Sequence, residues 1–316
     1  METETLYPET PVPDAKSARR AASLCAFAAV ALTVIAYAII FAVSLAAYGV
    51  AGDLSADLVL IVNTAAVDLI AMPLCWLLLL RRVPKNAGPE RERTPLSFMR
   101  LLFFFPCAFV LMYAGSLAGK LIGVLIEGGL SDVVTDAVSA VSPWTLLPCI
   151  VIVGPVAEEL FFRKAMIDRL SVYHPTDAIL FSALLFAMIH GNLTQFLYAF
   201  PLGVLFGVIY YRTQNIRYTI LLHVAINAIG GAVPVLLETA VGKLPEIGGM
   251  ALTAVYSLFI LAMCVLGLVL LIVRRREFLP IPSENPRVRK PFYINAGFIA
   301  ACVVFIGLFV ASEILS

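Results

Sequence analysis

Nine apolar stretches of this chain are long enough, or nearly so, to cross a hydrocarbon core of about 30 Å. They lie at 22–48, 58–80, 99–124, 144–163, 177–190, 195–211, 217–237, 250–273 and 292–312. Segments of this kind predict membrane-spanning helices. The fold class is therefore all-α: a polytopic membrane helix bundle of eight or nine transmembrane helices. Composition agrees. Of 316 residues, 61% are hydrophobic and 14% charged, where a soluble domain carries about 25% charged residues. Mean hydropathy is +0.96. A net charge of +1 gives no global pull on nucleic acid. The first stretch is too long for a signal peptide and has no small-residue cleavage site after it, so it reads as an uncleaved span.

Charge distribution sets the orientation. With the N-terminus in the cytoplasm, all but Lys120 and Lys243 of the 22 Lys and Arg fall on the inner side. This predicts an integral multi-pass protein of the plasma membrane, N-terminus cytoplasmic. Cys25, Cys75, Cys107, Cys149, Cys264 and Cys302 all lie in predicted spans without a Cys-x-x-Cys pair. They read as small buried residues, with neither a disulfide framework nor a thiolate metal site.

Between the spans, residues 1–20 hold Pro8, Pro11 and Pro13 and read as a disordered cytoplasmic tail. Residues 81–98 read as a basic loop and 128–143 as a short amphipathic helix at the outer interface. Residues 277–291, with Pro280, Pro282, Pro286 and Pro291, read as an extended linker, so the ninth span looks appended. No internal repeat of the kind common in transporters is evident. The fifth span is short: about 13 residues at 1.5 Å rise reach roughly 20 Å. His190 then sits at a turn held within the protein, before Gly191-Asn192.

The fourth span carries two adjacent carboxylates, Glu158-Glu159, followed by Arg163. An ionised group near the centre of a membrane helix costs about 2.5–3.5 kcal/mol, so these groups are expected to be paired, hydrated or used in chemistry. His190 and His223 are also inside spans. Phe186-x-x-x-His190, His223-x-x-x-Asn227 and Glu159-x-x-x-Arg163 each place two side chains on one helix face. A carboxylate beside an imidazole can hold and deprotonate a water. A second imidazole and a carboxamide can donate to a developing oxyanion. Alternatively, His190, His223 and Glu158 or Glu159 could bind zinc as two His plus one Glu with an open position, although no His-Glu-x-x-His motif is present. Buried polar groups also hold membrane helices together without any chemistry. Six such groups in three helices favour a functional site, and physics alone leaves catalysis and transport both open.

Glu158-Glu159-x-x-x-Arg163, Phe186-x-x-x-His190 and His223-x-x-x-Asn227, in this order, resemble the motifs of the CPBP family. These are the CAAX-protease and bacteriocin-processing intramembrane endopeptidases, also called the Abi family. The run Phe200-Pro201-Leu202-Gly203-Val204-Leu205-Phe206-Gly207, with Thr213 before His223, is similar to the family as well. The resemblance covers roughly 144–237. It implies an intramembrane peptidase acting near the cytoplasmic face, with Glu158 and His190 activating water, His223 and Asn227 stabilising the oxyanion, and Glu159 and Arg163 completing the site. It leaves open a metal-dependent or a glutamate-type site, so zinc is the one cofactor in question. Implied partners are membrane lipids and a peptide or protein substrate, lipidated or a leader peptide, and no nucleic acid. Bacteriocin self-immunity belongs to the same range of roles.

The chain then divides into a tail (1–20), N-terminal helices 1–3 with their loops (21–143), family-like helices 4–7 (144–237), helix 8 (238–273), a basic Pro-rich linker (274–291) and an appended helix 9 (292–316). Three further residues complete the expectations. His174, beside Pro175, reads as a solvated loop histidine. Asp68, mid-span, reads as a hydrogen-bonded group facing the bundle, with a proton or ion site as the alternative. Gly115 and Gly119, four apart, suggest a close helix contact. Two rival functions stand beside the peptidase. One is an ion-coupled transporter using Glu158, Glu159 and Asp68. The other is a non-catalytic protein that holds a membrane peptide in the same pocket.

Overall fold

The computed structural model describes residues 14–51, 54–85, 95–127, 140–277 and 290–315. Most of the expected tail, the middle of the 81–98 loop, nearly all of the 128–143 segment and most of the 277–291 linker lie outside the described residues. Among the described residues the architecture is an all-α membrane bundle of nine principal helices. They are α1 (Ala15–Ala51), α2 (Ala56–Arg82), α3 (Phe98–Glu127), α4 (Pro143–Leu170), α5 (Pro175–Met188), α6 (Leu193–Thr213), α7 (Ile216–Val241), α8 (Glu246–Val273) and α9 (Ala296–Leu315). Seven are long and apolar enough to cross a membrane, and α5 and α9 are shorter apolar helices.

Small residues set the closest contacts. Added side chains at Gly115 and Gly119 would meet the backbone of Tyr198 and Thr194 at 2.5 and 2.7 Å, so α3 and α6 pack backbone to backbone at this pair. Close approach of this kind replaces the hydrophobic drive that lipid removes. An alanine stripe on α1, including Ala18, Ala22, Ala26 and Ala29, is fully buried, and α9 packs against α1. There the Gly297 N–H donates to Ser23 Oγ at 3.0 Å. All six cysteines are free, and four are buried.

Polar contacts tie helix ends together in two sets. In the first, Arg169 Nε donates to the Leu80 and Val83 carbonyls at 2.9 and 3.2 Å, joining the ends of α2 and α4. The Tyr218 hydroxyl donates to the Leu96 carbonyl at 3.2 Å, where α3 and α7 begin. In the second, the Ser142 N–H donates to Asp57 Oδ1 at 2.8 Å, where α2 and α4 begin. Each contact joins ends that the charge partition assigns to one side.

His174 departs from expectation. It is 6% exposed, and Nδ1 lies 3.2 Å from the Asp177 backbone nitrogen and 2.9 Å from Asp177 Oδ2. The Tyr293 hydroxyl, from the turn before α9, donates to Asp177 Oδ1 at 3.2 Å. Pro175 at the first helical position fixes where α5 starts, which makes His174 its N-cap. The turn Lys290–Tyr293 packs over this corner, burying Phe292.

Candidate active site

The site is built on α4, whose winding follows from its prolines. Pro148 and Pro155 supply no backbone N–H and crowd the preceding turn. The helix answers with two wide π-helical stretches, Leu147–Val153 and Glu159–Ile167. Two more occur in neighbours of α4, Ala65–Ala71 in α2 and Ala228–Ala232 in α7. Wide turns of this kind concentrate at functional sites because they re-aim side chains and free backbone carbonyls.

One freed carbonyl can be traced. The Gly154 N–H reaches back five residues to the Cys149 carbonyl. In that register the Ile150 carbonyl would need the N–H of residue 155, which is proline. The Asn227 carboxamide supplies the missing donor, with Nδ2 at 3.0 Å from the Ile150 oxygen. Asn227 therefore joins α7 to α4 with one N–H and keeps the other.

Glu158 and Glu159 end in different surroundings. The Glu159 side chain has no exposure, while that of Glu158 is 18% exposed. Both meet His223 of α7. Nδ1 lies 3.0 Å from Glu159 Oε1, and Nε2 lies 3.5 Å from Glu158 Oε2. Arg163 Nη1 pairs with Glu159 Oε1 at 3.3 Å. None of its guanidinium nitrogens makes a hydrogen bond among the described residues. The guanidinium instead lies 4.1 Å from the centre of the Phe186 ring and 5.7 Å from that of Phe206, a stacking suited to Arg and not to Lys.

His190 enters from the turn after α5. Its Nδ1 lies 2.8 Å from the Phe186 carbonyl. Donation from Nδ1–H to that carbonyl leaves Nε2 as the ring's open nitrogen. Gly191 carries a φ of +70°, which lets the chain reverse there. The Asn192 carboxamide donates back to the His190 carbonyl at 3.2 Å. The expected difference in depth between the two histidines is bridged by Phe186, whose ring centre is 5.0 Å from that of His190 and 6.0 Å from that of His223. α5 begins at Pro175, two residues before the expected start.

Glu158, Glu159, Arg163, His223 and Asn227 thus come together between α4 and α7, and His190 joins them through Phe186. The aromatic hub was inside a recognised motif, but its role as common neighbour of both histidines and Arg163 is not readable from spacing. Asp68 of α2 also comes to this region. It is 9% exposed, as the bundle-facing reading requires. Its Oδ1, however, has no hydrogen-bond partner among the described residues, which corrects the expectation of a hydrogen-bonded group.

No group of three His, Cys, Asp or Glu side chains among the described residues is disposed to hold a metal ion. The donor set explains this. Both nitrogens of His223 face carboxylates, and His190 Nδ1 faces a carbonyl. The residues as placed do not fit zinc, and no step below is routed through one.

Comparison with known proteins agrees with the motifs. A family model described as "Type II CAAX prenyl endopeptidase Rce1-like" matches residues 140–229. The Bacillus subtilis (strain 168) protein named "Putative membrane peptidase YdiL" is 30% identical over 169 residues, covering 52% of this chain and 68% of that protein. No solved structure matches the chain. The fold, the clustered motifs and these two matches together place the chain in the CAAX-protease, Rce1-like (CPBP) family of intramembrane proteins.

Proposed function

We propose that this protein is an intramembrane peptidase that hydrolyses a peptide bond in a membrane-associated peptide or protein tail. The observation that carries the reading is one histidine shared by two consecutive carboxylates, His223 with Glu158 at 3.5 Å and Glu159 at 3.0 Å. Only Glu158 of the two is exposed enough to meet a substrate. Glu159 holds His223 and Arg163 in place from behind.

Glu158, with His190 Nε2 on the other side, takes a proton from water as the water oxygen bonds to the scissile carbonyl carbon. The resulting oxyanion receives hydrogen bonds from the second Asn227 N–H and from His223. The proton on Glu158 then moves to the leaving nitrogen as the C–N bond breaks. General-base help of this kind contributes about 10²–10⁴-fold, and an oxyanion donor about 10²–10³-fold. The charge partition puts the N-terminus in the cytoplasm and the reaction near the cytoplasmic face. A lipid-bearing tail, as cleaved by a CAAX prenyl endopeptidase, suits a chamber open to the bilayer, as does a leader peptide.

The test is a comparison of peptide termini across the proteome of cells carrying the wild-type chain or Glu158→Gln. Termini present with the first and missing with the second identify the cut sites. Identical termini in both would end the peptidase reading.

A further inference from the structure

Asp68 sits in the wide turn Ala65–Ala71 of α2, which touches the Gly154–Glu158 stretch of α4. Oδ1 is shut off from solvent and has no hydrogen-bond partner among the described residues. No Lys, Arg or His among them forms an ion pair with it either. Its Oδ2 lies 3.8 Å from where a Cβ on Gly154 would stand. Gly154 precedes Glu158 by four residues and shares its helix face. Glu158 is the charged group that acts on Asp68.

A polar residue that serves only to join helices is bonded to its neighbours. Asp68 is not, and an unpartnered buried carboxyl costs stability. Its shielded Oδ1 is also out of reach of a substrate. What remains is an action through a neighbouring side chain. Like charges repel far more strongly in a low-dielectric interior than in water. The Glu158 side chain turns about three torsions, and its ion pair among the described residues is with His223.

We propose that Asp68 is a positioning residue for Glu158: across Gly154, its carboxylate repels that of Glu158 and drives the side chain towards His223. This rests on the peptidase reading for its consequence, since a Glu158 held in one rotamer is a base already aimed at the reacting carbonyl. Losing such aim lowers turnover more than binding.

The experiment uses the full chain in detergent micelles, as wild type, Asp68→Asn, Asp68→Ala, Glu158→Gln and the Asp68→Asn/Glu158→Gln double variant. Melting temperature and cleavage of a quenched-fluorescent peptide ending in a farnesylated cysteine and three further residues are measured. In Asp68→Asn, kcat should fall about tenfold or more, with KM within about twofold. Melting temperatures of both Asp68 variants should stay level or rise. The two single shifts should combine less than additively in the double variant, because either substitution alone ends the repulsion. A melting temperature that falls together with activity would make Asp68 a structural residue. A rise in KM alone would make it a substrate contact. Additive shifts would mean that the two carboxylates do not interact. Each of these overturns the proposal. If Glu158→Gln cleaves as well as wild type, the peptidase reading falls, while a less-than-additive melting cycle still upholds the coupling of Asp68 to Glu158.

Discussion

Arg163 Nη1 and Glu159 Oε1, four residues apart on α4, lie 3.3 Å from each other, and neither side chain has any exposure. A buried pair of this kind adds little net stability, but removing one partner strands the other charge and costs about 3–5 kcal/mol. Here the guanidinium is also stacked over Phe186 at 4.1 Å. Arg163→Lys keeps the charge and loses the flat face. The expected outcome is a lower melting temperature and a marked loss of activity, against a smaller effect of Lys164→Arg on the exposed side of the same helix. An Arg163→Lys protein that melts with wild type would show that charge alone suffices at this position.

Asn227 has two duties that one substitution separates. Asn227→Ala leaves the Ile150 carbonyl without its donor, at a cost of about 1–3 kcal/mol, and removes an oxyanion donor, at a cost of about 10²–10³ in kcat. Well below its melting temperature, the variant should bind substrate nearly as wild type and turn over far more slowly. Steady-state kinetics beside a thermal melt reads both. A lowered melting temperature with intact kcat would leave Asn227 the helix-joining role alone.

Much of this was legible because membrane helices have few ways to be wrong. Runs of apolar residues mark the helices, and Glu158, Glu159, Arg163, His190, His223 and Asn227 are conspicuous as polar residues within them. What escaped depends on neighbours distant in sequence. His174 is buried because Tyr293 and Phe292, more than 100 positions away, pack over the start of α5. Spacing cannot tell a bonded Asp68 from an unbonded one. The Asn227 contact with Ile150 is the intermediate case. Pro155 announces a missing N–H, but which carbonyl is orphaned depends on the winding of α4.

Orientation has a direct check. In a background without native cysteines, Lys85→Cys and Arg275→Cys should be shielded from membrane-impermeant thiol reagents in intact cells, and Lys243→Cys should be labelled. The expectation rests on the clustering of Lys and Arg at alternate helix ends. It also rests on the Arg169 contacts that hold the ends of α2 and α4 together. Labelling of Lys85→Cys with protection of Lys243→Cys would invert the protein and move the reaction to the outer face.

Metal dependence turns on His223. For His190, His223 and a glutamate to hold zinc, His223 must release at least one of its two carboxylates and offer that nitrogen to the ion instead. Releasing Glu159 would leave a fully buried carboxylate with Arg163 as its remaining ion-pair partner among the described residues. Releasing Glu158 would separate the proposed base from the imidazole. Ligating histidines do commonly donate their second nitrogen to a carboxylate, so Glu159 on Nδ1 suits either chemistry, and the Nε2 side decides. With Nε2 committed to Glu158, active purified protein should carry well under one zinc per chain. It should keep its activity and melting temperature after a strong chelator, and His223→Gln should retain a residual rate instead of none. Zinc at one per chain, lost together with activity and restored with it, would make His223 Nε2 and His190 Nε2 ligands and require Glu158 to turn towards the metal.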